Sequence, residues 1–398
     1  MAAGRAVTFR AIGVLAVIGV MATGCGGAPI LANPALSFPS PAVTAAPPSA
    51  PADPIPVVFP RDDGPHDRLT EWWYYTGHLQ TPMGRRFGFE AVVFRAERSA
   101  VPTGWAAHLA LTDEQNGRFH FAQRSEVGPQ VDVSPRGPEG APTGFDLRVS
   151  GLNPELIAAG APPFAEAWRL AGSNGVDSID AALTDAEAAA SGAPFALHLT
   201  LRSLRDPALH DGDGFVDFGP AGSSYYYSRM RMAATGTVTL DGDDINVGGT
   251  AWFDHQWGNF ISVGGGWDWF AINLADGTDL TLSVVRDATG NPVLEYGTIE
   301  QPTQGSPGSA TRLSAEDFSV ESLGTWTSPH SARTWPSGWK VSVGELAIEL
   351  HPTVDDQELD TRATTGVVYW EGSQRVTAKR NGSPVAGEAY VELTRYTN

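Results

Sequence analysis

The sequence predicts an all-β protein whose antiparallel strands form sandwiches or barrels. Short aromatic and β-branched runs alternate with period two, and Gly, Asp, Asn and Pro separate them. Helical patterns are nearly absent, and many short strands joined by turns are typical of these two architectures. The body after residue 57 holds about 340 residues, which indicates two units rather than one.

Strand patterns recur along the body, with eight segments as examples, and one segment carries a helix pattern. The helix candidate is Thr184–Ala190, because Thr184 followed by Glu187 is the pattern of a capping box. The strand segments are Glu71–Leu79, Phe87–Arg95, Phe195–Leu201, Tyr225–Met232, Trp267–Leu274, Leu280–Val285, Trp339–Leu350 and Tyr390–Tyr396.

The turn-rich stretch Leu240-Asp241-Gly242-Asp243-Asp244 separates two strand-rich halves of the body. We therefore predict one domain over residues 57–235 and a second over residues 236–398. The halves show no repeat that aligns residue by residue, so the sequence alone does not establish a duplication.

The N-terminus has the pattern of an export signal. Arg5 and Arg10 precede the apolar run 11–22, and small residues lead to Cys25, so residues 1–24 are expected to be a signal peptide. Cys25 is the only cysteine, and its setting resembles a lipobox, which predicts a lipidated, membrane-anchored lipoprotein of the cell envelope. The alternative is a peptide cut elsewhere that leaves a free thiol. Residues 25–56 are rich in Pro, Ala and Ser, which predicts a disordered tether.

The charge pattern excludes one large class of partners. The chain has 45 acidic and 26 basic residues, a formal net charge of −19, and only two lysines, Lys340 and Lys379. A protein that binds nucleic acid needs a basic surface. We therefore expect no nucleic-acid partner.

Several familiar catalytic motifs do not occur in the sequence. The chain has no Gly-x-Ser-x-Gly, no His-Glu-x-x-His, no Gly-x-Gly-x-x-Gly after a strand and no Walker loop. A serine hydrolase, a zinc peptidase and a dinucleotide-dependent enzyme are therefore unsupported. Neither a metal site nor a cofactor is predicted.

The first candidate cluster lies in the segment Glu71–Leu79. In a strand, Glu71, Trp73 and Tyr75 share one face, whereas Trp72 and Tyr74 share the other. Large aromatic residues on both faces are expected where one face lines a cavity and the other packs outside. Trp72, Trp73 and Tyr75 are candidate ligand-binding residues, and Glu71 is either a catalytic acid or a satisfied core carboxylate.

The second cluster is Trp252-Phe253-Asp254-His255-Gln256-Trp257, followed by Trp267-Asp268-Trp269. Burial among aromatic rings raises the pKa of a carboxyl, which can then act as a general acid. The indoles of Trp252, Trp257, Trp267 and Trp269 could stabilise a developing cation. Asp254, His255 and Asp268 are therefore candidate catalytic residues for protonation of an unactivated alkene, a reaction that requires no cofactor. The alternative is a structural hydrogen-bonded pair at a domain junction.

The third cluster is Tyr225–Met232. Alternation predicts that Tyr225, Tyr227, Arg229 and Arg231 lie on one face. Tyr225, Tyr227 and Arg229 could hold the polar end of a ligand, whereas the simpler interpretation pairs an arginine with a buried carboxylate.

Several of these segments resemble the family of hydroxyneurosporene synthases, also called carotenoid 1,2-hydratases or AttH-like proteins. The matching segments are Glu71–Leu79, Phe87–Glu90, Tyr225–Arg229, Trp252–Gly258, Gly266–Phe270 and Tyr390–Thr394. The resemblance implies two lipocalin-like (calycin) antiparallel β-barrel domains with a ligand pocket at or between them. It also implies that some members hydrate the terminal double bond of acyclic carotenoids with an acidic residue as the proton donor.

The function expected from the sequence is the binding of a lipophilic small molecule, such as an isoprenoid, with hydration of an isolated double bond as the specific chemistry. One alternative is a non-catalytic carrier of a hydrophobic ligand. Another is a secreted hydrolase, which the label of some family members implies.

Overall fold

The structure is a computed structural model that describes residues 53–98, 101–151, 166–218, 222–260, 265–302 and 310–394. The signal peptide, Cys25 and most of the tether lie outside the described residues. Among the residues described, no helix is both long and apolar enough to cross a membrane.

The first sheet contains twelve strands in the order β4-β3-β2-β1-β12-β11-β8-β7-β6-β5, and β9 and β10 also pair with β11. The strands are β1 (Thr70–Gln80), β2 (Arg86–Arg98), β3 (Val101–Asp113), β4 (Arg118–Val127), β5 (Phe145–Val149), β6 (Trp168–Ser173), β7 (Val176–Ala182), β8 (Phe195–Ser203), β9 (Ala208–Leu209), β10 (Phe215–Asp217), β11 (Ser223–Leu240) and β12 (Asp243–Gly258).

The second sheet contains eleven strands in the order β16-β15-β14-β13-β23-β21-β19-β18-β17, with β20 and β22 paired to β21. The strands are β13 (Gly266–Leu274), β14 (Asp279–Arg286), β15 (Pro292–Glu300), β16 (Ala310–Ser314), β17 (Phe318–Thr327), β18 (Thr334–Val343), β19 (Leu346–Pro352), β20 (Glu358–Asp360), β21 (Val368–Arg380), β22 (Ser383–Val385) and β23 (Gly387–Thr394). The predicted segment Trp339–Leu350 is thus two strands, β18 and β19.

Each sheet curls around its own apolar core, as predicted for a pair of antiparallel barrels. Trp73, Trp105 and Phe253 are among the large side chains buried in the first barrel. Trp335 and Trp339 are buried in the second. The one predicted helix is also confirmed. It is α1 (Asp185–Ser191), where Thr184 and Glu187 form the capping box.

The predicted domain boundary at residue 236 is wrong. Leu240 pairs with Asp243 across a two-residue turn inside the β11–β12 hairpin of the first sheet. Asp241 and Gly242 have φ values of 54° and 89°, as a tight hairpin turn with an Asp-Gly sequence requires. The chain leaves the first sheet only after Gly258, so the turn signal marked a hairpin rather than a boundary.

The last residues of the predicted tether belong to the first barrel. Ile55, Val57 and Phe59 pack against its core, and the Ile55 N–H donates to the Tyr225 hydroxyl at 2.7 Å. Arg68 pairs with Asp53 at 2.8 Å. Residues 53–69 therefore form a strap across one end of this barrel, and the tether does not extend to residue 56.

Candidate functional site

Alternation along β1 and β12 sends neighbouring residues to opposite sides of the first sheet, as predicted. Trp73 and Tyr75 of β1 lie in the core of the first barrel, whereas Trp72 and Tyr74 face the second sheet. On β12, His255 faces inward, and Asp254 lies opposite Tyr74 in the register. Glu71 and His255 therefore occupy one cluster and Asp254 another.

The outward cluster lies between the two sheets, and we call it the interface cluster. On the first sheet, Tyr74 stands between Val92 and Asp254 in the register of the strands. On the second sheet, Glu392 stands between Trp269 and Glu371.

Hydrogen bonds link the two sheets within this cluster. The Tyr74 hydroxyl donates to Glu371 of β21. The indole N–H of Trp269 on β13 donates to the Tyr226 hydroxyl of β11 at 3.1 Å. The interface cluster thus takes residues from both barrels.

Asp254 is held by three donors. The Tyr226 hydroxyl donates to Oδ2 at 2.5 Å, while Ser228 and the Trp252 indole N–H, at 2.6 Å, donate to Oδ1. Burial raises the pKa of Asp254 to about 6, and the three hydrogen bonds limit that rise because they favour the carboxylate.

Glu90 and Glu371 accept fewer hydrogen bonds than Asp254, and their pKa values are shifted further. Burial raises the pKa of Glu90 to about 8 although the Tyr369 hydroxyl donates to it at 2.8 Å. Burial, followed by repulsion from Glu90 and Glu392, raises the pKa of Glu371 well above its ordinary value. One oxygen of each, Oε2, has no hydrogen-bond partner among the described residues. Both carboxyls therefore give up their protons less readily than an ordinary glutamic acid does.

Glu392 completes the interface cluster. Desolvation raises its pKa to about 7, against a hydrogen bond from the Trp267 side chain. Within the described ranges, no Arg or Lys compensates Glu90, Asp254, Glu371 or Glu392. Carboxyls that are buried without a cation take up protons, and such perturbed groups concentrate at functional sites.

Aromatic side chains surround these carboxyls. Tyr74, Trp252, Trp269 and Tyr390 are buried in the same apolar group. Trp72, Phe94 and Trp267 pack against it and are only half-buried, so the cluster reaches the surface on this side. Of the ligand-binding residues predicted from the sequence, Trp72, Trp252, Trp267 and Trp269 lie here.

The inward cluster lies inside the first barrel beneath the strap, and we call it the barrel cluster. Oε1 of Glu71 is 2.7 Å from Nδ1 of His66 and 3.0 Å from Nε2 of His255. Nε2 of His66 faces an Asp62 carboxylate oxygen at 3.3 Å, and Nδ1 of His255 faces the Asp62 carbonyl at 3.1 Å. Burial opposes ionisation of Glu71, but His66 and His255 outweigh it and lower the pKa of this carboxyl.

The remaining predicted ligand-binding residues line the same barrel. The hydroxyl of Tyr227 and the guanidinium of Arg229 both donate to Asp63 at 2.7 Å, and the Tyr75 hydroxyl donates to Asp177 at 2.8 Å. Arg229 therefore neutralises a buried carboxylate, which is the simpler of its two predicted roles.

A cavity of about 310 Å³ opens at this end of the barrel. Its wall includes Ile55 and Val57 from the strap, the His66 ring, and the rings of Tyr225 and Trp257. The imidazole of His66 stacks on the indole of Trp257, with centroids 4.0 Å apart. The volume of this cavity is at the lower limit for small-molecule pockets.

Two predicted placements are wrong. Asp268 does not join Asp254, because alternation on β13 turns it away from Trp267 and Trp269, and it pairs with Arg286 at 2.7 Å. Arg231 does not share a face with Arg229. A register shift between Arg229 and Met232 turns its side chain to Asp279 of the second sheet, at 2.5 Å.

Five residues of the two clusters were not predicted from the sequence. Glu90 and Glu392 lie inside segments that carry the family resemblance, which is a signal that could have found them. His66, Asp62 and Glu371 stand in no recognisable motif, and only the fold shows their positions.

The fold and these clusters define a class of protein, a two-barrel lipocalin-like protein with a carboxyl-rich layer between the barrels. The chain belongs to the AttH-like family, whose model matches residues 50–396. The crystal structure of an AttH candidate from Nitrosomonas europaea is 30% identical, with a TM-score of 0.69, and the match covers 88% of this chain and 100% of that one.

A second solved structure shares the fold at lower identity. It is kievitone hydratase from Nectria haematococca, which is 16% identical with a TM-score of 0.60, and the match covers 86% of this chain and 94% of that one. No curated protein sequence matches this chain.

Proposed function

We propose that this protein is a hydratase-type enzyme that adds water to an isolated carbon–carbon double bond of a lipophilic molecule. The reaction takes place in the interface cluster. One observation carries the proposal. Glu90 and Glu371 have raised pKa values, lack a compensating Arg or Lys among the described residues, and each carry one buried oxygen without a hydrogen-bond partner there.

The chemistry follows from these groups. The neutral carboxyl of Glu371, or of Glu90 beside it, transfers its proton to one alkene carbon, so that a C–H bond forms and the π bond breaks. The other carbon becomes a cation, which the indoles of Trp252 and Trp269 stabilise by roughly 2 kcal/mol when desolvated. Water then forms the C–O bond, and its extra proton returns to the carboxylate. No cofactor enters this cycle.

Asp254, the acid favoured by the sequence, has a different role in this proposal. Three donors point at its two oxygens, which favours the carboxylate over the acid. We assign Asp254 as a positioning residue that orients Tyr226 and Trp252. Family membership and the shared fold of kievitone hydratase support the type of reaction. The isoprenoid nature of the substrate rests on the family resemblance alone.

The test is incubation of the purified protein with an acyclic isoprenoid alkene in isotopically labelled water. A product that is heavier by one water and carries the label in a hydroxyl group is expected. The Glu321→Gln variant changes an exposed carboxyl on β17 and serves as the control with wild-type turnover. Recovery of the alkene unchanged by protein with a native fold would contradict the proposal.

A non-catalytic carrier is the second candidate, and the cavity under the strap favours it. A pocket walled by Tyr225, Trp257 and apolar strap residues suits a small hydrophobic ligand. Mass spectrometry of ligands extracted from the purified protein separates the two functions. A ligand that stays unmodified during long incubation supports the carrier.

We also propose that the protein is exported and anchored through a lipid on Cys25. Cys25→Ser is expected to abolish lipidation and to release the protein from the membrane fraction or leave an unprocessed precursor. Continued fractionation of this variant with membranes would contradict the anchor.

A further inference from the structure

We propose that His66, Glu71 and His255 form a binding site for a divalent transition-metal ion, with zinc as the preferred ion. The site lies in the barrel cluster, apart from the interface cluster, and is independent of the hydration proposed above.

The first observation is the convergence of three donor atoms. One ligand atom from each of the three residues lies within 4.8 Å of the others. Two imidazoles and one carboxylate are a donor set that zinc uses where it keeps an open position, and that non-haem iron also uses. Mg²⁺ and Ca²⁺ prefer all-oxygen sites, so these ions are not expected to compete.

The second observation concerns protons. All four ring nitrogens of His66 and His255 face oxygen acceptors, at 2.7 to 3.3 Å. Two neutral imidazoles carry only two ring protons. In the metal-bound form, where both imidazoles are neutral, these protons serve the contacts to Asp62, and the lone pairs of both inner nitrogens face the same point as Oε1 of Glu71. A metal ion at this point satisfies all three lone pairs at once.

The third observation is that the outer contacts are those of a metal site. Metal-binding histidines usually donate their other ring N–H to a carboxylate or a backbone carbonyl, which fixes the tautomer. Asp62 supplies both acceptors, its carboxylate to His66 and its carbonyl to His255. The other oxygen of Glu71 accepts the His66 backbone N–H at 3.0 Å and lies 3.9 Å from Arg95, which leaves Oε1 directed at the two rings.

The positions of the three ligand atoms allow a metal ion to bind, and the bound ion remains accessible from the cavity. Tetrahedral ligands about 2.0–2.1 Å from zinc are roughly 3.3 Å apart. Oε1 of Glu71, at 2.7 and 3.0 Å from the two nitrogens, must therefore move away from each by a few tenths of an ångström, and the two nitrogens already lie within 4.8 Å of each other. Glu71 and His255 are fixed on strands, whereas His66 lies in the strap with 18% of its side chain exposed, so it can move. Its ring also lines the cavity, so the fourth position opens to water or to a ligand oxygen.

The test is equilibrium dialysis of the untagged full-length protein against Zn²⁺ in excess Mg²⁺ and Ca²⁺. One bound zinc per chain and a rise in the melting temperature are expected. Co²⁺ in place of zinc is expected to give the intense visible bands of a low-coordinate site. Stoichiometry far below one would overturn the proposal.

The zinc affinities of single-residue variants test where the ion binds. His66→Gln is expected to weaken zinc binding more than about 100-fold, and Asp62→Asn by about 10–100-fold, the range for residues that orient a ligand. The matched control is His198→Gln, which removes an exposed histidine 3.5 Å from the exposed Asp180 and is expected to keep wild-type affinity. Wild-type affinity in both His66→Gln and Asp62→Asn would overturn the site.

Discussion

The barrel cluster and the interface cluster bury the same kind of side chain with opposite results. Glu71 in the barrel is 0% exposed, and Glu90 and Glu371 in the interface are each 1% exposed. The pKa of Glu71 is lowered, whereas burial raises the pKa values of Glu90 and Glu371. Burial alone therefore does not decide the charge of a carboxyl in this protein.

The partners account for the difference. Glu71 faces two imidazoles and an arginine, so its negative charge is compensated. Glu90 and Glu371 receive hydrogen bonds from tyrosine hydroxyls and repel each other and Glu392. One cluster is thus arranged to hold an anion and the other to hold a proton, which suits acid catalysis.

The largest expected effect is a loss of stability in the barrel cluster. Glu71→Gln removes the charge that His66, His255 and Arg95 face, and breaking a buried ion pair costs about 3–5 kcal/mol of unfolding free energy. Urea unfolding of the variant measures this. The control is Glu97→Gln, which removes a more exposed partner of Arg95 and should cost less than about 1 kcal/mol. Equal effects of the two substitutions would show that Glu71 is not held by its charge.

The same substitution in the interface cluster should change activity instead. Glu371→Gln replaces a neutral carboxyl with a neutral amide, so the unfolding free energy should change by less than about 1 kcal/mol. Turnover should fall by about two orders of magnitude or more, since the proton donor is lost. KM should change little, because the loss falls on the transition state. Full turnover together with reduced stability would make Glu371 structural.

The pH dependence of the unfolding free energy tests the difference between the two clusters at Glu90. Below pH of about 4.5 the carboxyl is protonated in the folded and unfolded chains alike. Between this value and about 8, the unfolded chain loses the proton and the folded chain keeps it. The stability that this group contributes is therefore lost as pH rises through that window, by up to about 1.4 kcal/mol per pH unit.

Glu90→Gln cannot lose that proton, so it should gain stability relative to the wild type between pH 5 and pH 8. Urea unfolding of both proteins across this range measures the difference. Parallel curves would mean that Glu90 is ionised in the folded protein.

The smallest expected effect concerns Asp254. The Asp254→Asn variant presents one acceptor oxygen in place of two, so Tyr226 or Trp252 loses its acceptor. We therefore expect kcat to fall by about tenfold. A positioning residue leaves the pH profile of kcat unchanged, because another group donates the proton. A loss as large as that of Glu371→Gln, with an altered pH profile, would return the role of acid to Asp254.

The local sequence pattern was enough to predict which side chains belong to which of the two clusters on β1 and β12. The faces of β1 and β12 follow from the two-residue repeat, so the opposite directions of Asp254 and His255 were predictable. The hydrogen-bond partners of these side chains were not predictable, because they come from distant parts of the chain. Glu371 reaches Tyr74 across 297 residues, and no periodicity encodes that contact.

Local irregularities explain the incorrect predictions. One bulge after Arg229 redirects Arg231, and a bulge has no reliable sequence signal here. The Asp-Gly turn at residues 241 and 242 is typical of a hairpin, but a turn signal does not say whether the flanking strands share a sheet. His66 belongs to the strap, where no repeat restricts the side chain.

The division of the interface cluster between two barrels affects how the chain is assembled. The first sheet is complete at Gly258 and is synthesised before β13. In the unfolded chain, Glu90 faces water and is ionised at neutral pH. Burial in the folded protein raises its pKa to about 8, so folding is expected to take up a proton from the solvent at neutral pH.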